Sequence, residues 1–271
     1  MWPGESELTL GSLPVDWDVL VAFLAGVAIA TVTAPVGVSG AVFLLPVQMS
    51  VLQVPNPAVT PTNLMYNVVA GPGALLKYRR NGQLTGRLAQ QLLAGSVPGV
   101  IVGAIVRVYF VPGPRSFRII AAVVLLSIGA WLLWRTFGSP RVHERLSDRR
   151  VFLLAVGVGV VGGVYGIGGG SILSPILVGS GMAVARVAPA ALAATFGTSI
   201  VGAITYAVLA RFASGSIAPD WPVGMACGLG GLIGGYLGAL AQPHVPEQAL
   251  RLLLGTLAIA IGCLYLAHGF I

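Results

Sequence analysis

Two short glycine-rich stretches interrupt apolar sequence in this chain, and each ends at a proline. They are residues 37–46, GVSGAVFLLP, and residues 166–175, GIGGGSILSP. A break in an apolar helix leaves backbone N–H and C=O groups without partners, which is costly in lipid unless the break is buried in protein or lines a watery cavity. Paired breaks in two halves of a chain are typical of the substrate site of a transporter.

The chemistry that these breaks favour is the binding of an anion. The second segment at each break begins at its glycine motif, so its free N–H groups and the positive end of its dipole point at the break. Glycine accepts left-handed backbone angles and lets an anion approach the N–H groups closely. The candidate binding residues here are Gly37, Ser39, Gly40, Gly166, Gly168, Gly169, Gly170 and Ser171. The alternative interpretation is close helix packing, a common use of small residues in membrane bundles.

Polar residues share one face of the helix that follows each break. Asn63 and Asn67 are one turn apart in the first half, and Thr195, Thr198 and Ser199 repeat that spacing in the second. We expect these side chains to hydrogen-bond a polar substrate opposite the breaks. The alternative is hydrogen bonding between neighbouring helices, which membrane proteins also use. The two amides favour the binding role because they are costly to bury without partners.

Composition identifies an integral membrane protein, so the lipid bilayer is a predicted partner. Hydrophobic residues make up 56% of the 271 residues and charged residues only 8%, against about 25% charged in soluble domains. The formal charge of +7 comes from arginines and lysines in short loops beside apolar segments. Retention of these loops in the cytoplasm explains them, so nucleic-acid binding is not expected.

The two breaks belong to two halves of the chain that align with each other. The halves cover residues 18–137 and 151–271 and are joined by a basic linker at residues 138–150. Matched positions are Gly37 with Gly166, Pro46 with Pro175, Tyr78 with Tyr206, Gly99 with Gly234 and Gly103 with Gly238. This alignment predicts two structural repeats.

Charge predicts that the repeats have opposite orientations. Residues 77–87 contain four basic side chains and no acid, whereas the matching residues 211–221 contain one of each sign. Since short basic loops stay in the cytoplasm, the first loop and the linker face inward and the second loop faces outward. Both termini, with a tail at residues 1–17, then lie outside. The same topology places the loop of residues 107–118 outside, although it contains three arginines.

The predicted fold class is an all-α polytopic membrane protein with two inverted repeats. Each repeat begins with two short segments that form a glycine-broken helical hairpin, and three further transmembrane helices follow. The short segments are about 20 to 25 Å long at ~1.5 Å per residue, less than a hydrocarbon core of about 30 Å. Re-entrant hairpins and tilted full spans both fit this length.

Ionisable residues limit the other functions that the chain can have. All eight acidic residues fall at predicted segment ends or in loops, which disfavours proton coupling through a buried carboxylate. Cys227 and Cys263 are isolated, and the three histidines are peripheral. We therefore expect no metal, no cofactor and no catalytic residue. An inside-negative potential contributes about 2.3 kcal/mol per charge per 100 mV, so export of a small anion is the simplest hypothesis.

The chain resembles the TauE/SafE family of sulfite exporters and related permeases. The resemblance rests on residues 37–46 and 166–175, on residues 195–199, TFGTS, and on the helices with paired glycines. It implies a carrier in the bacterial inner membrane for small anions, typically sulfite or an organosulfonate such as sulfoacetate. A carrier of a non-sulfur organic anion and an anion channel remain as alternatives, and no pattern predicts an oligomeric state.

Overall fold

A computed structural model describes residues 17–84, 86–110, 114–137, 147–180, 182–212 and 217–269. Within these ranges the chain is helical. The α-helices are α1 Trp17–Thr33, α2 Ala41–Pro46, α3 Val59–Arg80, α4 Arg87–Tyr109, α5 Pro114–Phe137, α6 Asp148–Tyr165, α7 Gly170–Gly179, α8 Val184–Leu209, α9 Trp221–Ala241 and α10 Glu247–Gly269. The predicted external tail, apart from Trp17, and most of the predicted linker lie outside the described residues.

The helices have the dimensions and surfaces of a multi-pass membrane protein. Four described segments, residues 17–36, 87–109, 184–209 and 221–244, are long and apolar enough to cross a bilayer. Large apolar side chains also point outward from the bundle, including Leu24, Leu153 and Ile204, which are 55 to 60% exposed. Such side chains suit contact with lipid. The predicted all-α polytopic class is confirmed at this level.

Helices from the two halves of the chain pack against each other in a reciprocal pattern. Helix α1 lies along α9, and α6 lies along α4. Helix α3 contacts α8, and α5 contacts α10. The first helix of each half thus lies on the fourth helix of the other half. The core is therefore built across the halves rather than within each one.

Glycines allow α4 to pack closely against α6, and α9 to pack closely against α1. A Cβ atom at any of four glycines would lie under 3.0 Å from a backbone carbonyl oxygen of the facing helix. The pairs are Gly99 with Val156, Gly103 with Val160, Gly234 with Val27 and Gly238 with Thr31. Small residues at such contacts let helix backbones approach without a side chain between them. The close-packing interpretation is therefore correct for these glycines.

The two predicted breaks are breaks in the structure. Helix α1 continues as a 3₁₀ turn, Ala34–Val36, and ends at Gly37, whose φ is +74°. Helix α6 ends at Gly166, whose φ is +69°. Both angles lie in the left-handed region that favours glycine. The chain then turns back into α2, which continues as a π turn, Val47–Val51, and into α7.

The two short helices lie inside the bundle. In α2, Leu44 is fully buried, and in α7 Leu173 and Leu177 are fully buried. Protein surrounds the non-helical backbone at both breaks, as membrane depth requires. The fold thus brings the starts of α2 and α7 into the interior, where the polar residues of α3 and α8 meet them.

Candidate functional site

The two glycine breaks touch each other in the centre of the bundle. The backbone N–H of Ser39 donates to Oγ of Ser171 at 3.3 Å. Ser174 Oγ donates to the carbonyl oxygen of Val36 at 2.5 Å. Ser39 and Ser171 are both buried. Residues that are far apart in the chain therefore form one polar junction.

Asn67 of α3 links both sides of this junction. Its Nδ2 donates to the carbonyl oxygen of Gly166 at 3.1 Å. Its Oδ1 accepts a hydrogen bond from Ser39 Oγ, and the same Oγ accepts from the N–H of Ala41 at 3.2 Å. The amide predicted from sequence as a binding residue thus lies at the contact of the two breaks.

Asn63 lies one turn earlier on the same face of α3 and is fully buried. Its Nδ2 donates to the carbonyl oxygens of Ala41 at 2.9 Å and Tyr165 at 3.3 Å. Its Oδ1 has no hydrogen-bond partner among the described residues. Asn63 therefore holds the backbone of both breaks and keeps one acceptor free.

The predicted polar face of α8 lies against the second break. Thr198 Oγ1 accepts from the N–H of Gly169 at 3.1 Å. Thr195 Oγ1 lies 3.4 Å from Ser171 Oγ. Ser199 Oγ lacks a described partner and is fully buried, and a Cβ at Gly168 would lie 3.1 Å from it. Three hydroxyls thus surround the start of α7.

A small cavity opens beside the first break. Its volume is about 30 Å³, and its polar lining consists of Thr33, Ser39, Tyr66, Asn67 and Thr195. That volume is enough for one or two water molecules. The lining offers hydroxyl and amide groups, which are donors suited to an oxyanion. A sulfur oxyanion would have to widen the cavity to enter it.

The glycines that were predicted to bind an anion have surroundings that differ from one glycine to the next. Gly40 lines the cavity, and a Cβ there would collide with Tyr66 Oη. A Cβ at Gly169 would collide with the side chain of Ser96. Gly170 faces the carbonyl oxygen of Ala191 so closely that it has no room for any group. Gly170 thus serves helix packing in this structure, whereas Gly40 and Gly169 face side chains.

Two buried hydroxyls beside the breaks are absent from the residues predicted from sequence. Thr33 is at the end of α1 and lines the cavity, and Ser96 of α4 lies against Gly169. Neither hydroxyl has a hydrogen-bond partner within the part of the chain that the structure describes. Ser96 is the one serine of α4 and follows the packing glycine Gly95, which is the sequence signal that could have indicated it.

Arg107 corrects one sequence prediction. The topology placed it in an external loop, but it lies in the last turn of α4 and is fully buried. Its Nε donates to Thr60 Oγ1 at 3.3 Å, and its Nη2 donates to Asn56 Oδ1. Apolar sequence ends near Arg107, so hydropathy alone made it a loop residue. The start of α3 and the segment before it cover the guanidinium.

Comparison with known proteins relates this chain to a family and to a similar protein. A family model described as "Sulfite exporter TauE/SafE" matches residues 22–265. The chain is also similar to "Probable membrane transporter protein YunE" of Bacillus subtilis (strain 168), with 24% identity over 269 residues that cover 90% of this chain and 96% of that protein. Both matches span the two breaks and the helices that surround them.

Proposed function

The chain belongs to the TauE/SafE family of sulfite exporters, and from that premise we propose that it exports small anions across the bacterial inner membrane. The preferred substrates are sulfite and organosulfonates such as sulfoacetate. The anion is held at the junction of the two glycine breaks. The family and the similar protein, a probable membrane transporter, support transport across a membrane, and the junction supports the choice of an anion.

The observation that carries this proposal is the polar contact between the breaks. Ser39 N–H, Ser171 Oγ, Asn67 and Thr195 Oγ1 lie together in the interior. Three backbone N–H groups at the breaks, those of Ser39, Ala41 and Gly169, donate to hydroxyl oxygens, and hydroxyls can rotate to donate instead of accept. An oxyanion that enters the junction replaces those hydroxyls as the acceptor and also receives their hydrogen bonds.

Unpartnered hydroxyls support a ligand at the same place. Buried polar groups in native proteins nearly always have partners, so exceptions point to a water or a ligand. Thr33 Oγ1 lines the cavity at the first break, and Ser96 Oγ and Ser199 Oγ flank the second. All three lack described partners. They supply donors on both sides of a bound anion.

Alternating access would use the two repeats, residues 18–137 and 151–271, in opposite orientations around this site. Reciprocal contacts support the repeats. Tyr78 Oη donates to Ala34 O at 3.2 Å before the first break, and Tyr206 Oη donates to Gly163 O at 3.0 Å before the second. The cavity lies at the first break, whereas Ser96 closes the second. Rocking of one repeat against the other would exchange these two environments.

The proposed topology places both termini outside and the linker, residues 138–150, in the cytoplasm. Three basic residues in the last turn of α3 support this orientation. With the cytoplasm negative, the membrane potential drives anions outward. Export therefore needs no coupling ion.

Flux measurements on proteoliposomes containing the purified protein test the function. We expect efflux of sulfite and sulfoacetate that saturates with concentration and accelerates when the anion-loaded side is made negative. Protein-free liposomes give the leak. Flux that does not saturate would indicate a channel, and no flux of either anion under any gradient would contradict the substrate class.

A further inference from the structure

Arg107 is an unusual residue for its position in the fold. It lies in a helix long and apolar enough to cross the membrane, yet its side chain is fully buried in the bundle. Burial of a guanidinium at membrane depth is costly, and such residues are typically functional. The proposed anion junction consists of neutral groups, so Arg107 is not one of its members.

Arg107 lies next to the second glycine break. Its Nε donates to Thr60 Oγ1 at 3.3 Å, and that hydroxyl donates to the carbonyl oxygen of Val164 at 3.2 Å. The backbone of Thr60 also fills the space where a Cβ of Gly166 would be. Thr60 therefore links the guanidinium to the backbone of the break. Since Arg107 is in the last turn of α4, it lies between the break and the end of the bundle.

The corresponding place at the first break has no charge. Gln242 follows Gly238 by one helical turn, as Arg107 follows Gly103. Gln242 Nε2 donates to the carbonyl oxygen of Pro35 at 2.7 Å, just before the first break. A neutral side chain is thus sufficient to hold the backbone at this position. Holding the backbone therefore does not explain why Arg107, a charged residue, lies at the second break.

We propose that Arg107 is an anion-attracting residue on the path between the second break and the membrane surface. This inference rests on the proposed function. The guanidinium presents several donors in a plane, a geometry that matches the oxygens of sulfite, sulfonate and carboxylate groups. Two of its partners, Asn56 and Thr60, offer neutral oxygens, and an anionic oxygen is a stronger acceptor than either. The site takes a small oxyanion on its way to or from the junction.

Arg107 lies at the second break only, so its loss should affect anion binding from one face of the carrier and not from the other. Sulfite uptake is measured in right-side-out and inside-out membrane vesicles, which present opposite faces of the carrier. Arg107→Gln should raise KM by about tenfold or more at the face reached from the second break, and change it little at the other face. Arg107→Lys keeps the charge but not the planar set of donors, so it should restore part of the affinity.

Two further variants control this experiment. Arg87→Gln removes the same charge from the exposed, opposite end of α4, where Arg87 pairs with Asp148, and should leave KM unchanged at both faces. Gln242→Arg adds a charge at the first break and should lower KM at the opposite face. If Arg107→Gln fails to fold, the KM of Gln242→Arg at each face tests the proposal.

The outcomes separate this inference from the proposed function. Equal KM values at each face in wild type, Arg107→Gln and Gln242→Arg, with sulfite transport intact, would overturn the role of Arg107 alone. A parallel rise in KM at both faces that Arg107→Lys does not relieve would also overturn it, because that pattern indicates a structural role. Absence of anion flux in the wild type would instead overturn the proposed function.

Discussion

The backbone N–H of Ser39 donates to Oγ of Ser171 across a separation of 132 residues. This hydrogen bond joins the start of α2 to the start of α7, so each break completes the polar surroundings of the other. Neither half of the chain could form this junction alone. The proposed binding site is therefore a property of the contact between the halves.

Removal of the Ser171 hydroxyl tests this contact. Ser171→Ala leaves the Ser39 N–H without its acceptor and removes a donor from the proposed site. We expect KM for sulfite to rise by about tenfold, the usual effect of losing one buried hydrogen bond, with the protein still folded. Ser127→Ala is the matched control, because that exposed hydroxyl bonds only its own helix in the structure. Equal KM values for the two variants would exclude Ser171 from the site.

A negative charge at Asn67 should prevent anion binding. Asn67→Asp loses the donor to Gly166 and places a carboxylate beside the proposed anion, so flux should fall by about a hundredfold or more. Asn81→Asp makes the same chemical change just after the exposed end of α3 and should transport normally. Flux assays, with size-exclusion profiles to verify folding, measure both. Normal flux in Asn67→Asp would be incompatible with an anion at this position.

The contact between Gly40 and Tyr66 can be tested by second-site suppression. Gly40 has a φ of −56°, which suits any residue, so Gly40→Ala should impair transport mainly because the new methyl group collides with Tyr66 Oη. Tyr66→Phe removes that oxygen. The double variant should recover part of the flux lost in Gly40→Ala, and a double-mutant cycle measures the coupling. Purely additive effects would show that the two residues act independently.

The packing glycines should control stability rather than substrate affinity. Gly99→Ala forces a methyl group against Val156 O between α4 and α6, which should lower stability by ~1–3 kcal/mol. Gly157→Ala is the control on α6, because a Cβ there meets nothing within 4 Å. It should be neutral or stabilise by up to ~1 kcal/mol. Thermal unfolding in detergent compares the two, and equal melting temperatures would refute the packing role of Gly99.

The main features of the fold were predictable because local patterns determine them. Apolar composition predicted the all-α membrane fold, and the paired glycine motifs located both breaks. Gly37 and Gly166 have the left-handed angles that motivated their assignment. The location of Asn67 and Thr195 beside the breaks was predictable because helical spacing places polar residues on one face, whereas their role in binding stays a prediction.

Contacts between distant segments explain what the sequence did not predict. Ser96 lines the second break only because α4 lies beside α6 of the other half. Hydropathy placed Arg107 in a loop, since it cannot reveal that Asn56 and Thr60 cover the guanidinium. Gly170 packs closely against Ala191, and glycine composition alone does not distinguish such packing from anion binding.

The location of the bound anion tests the central claim most directly. Selenite is a pyramidal oxyanion like sulfite, and its selenium scatters anomalously. In crystals grown with selenite at a concentration that competitively inhibits sulfite flux, we expect an anomalous peak between Ser39 and Ser171, within hydrogen-bond distance of Asn67 or Thr195. Peaks that lie only elsewhere, with none at the junction of the two breaks, would contradict the account.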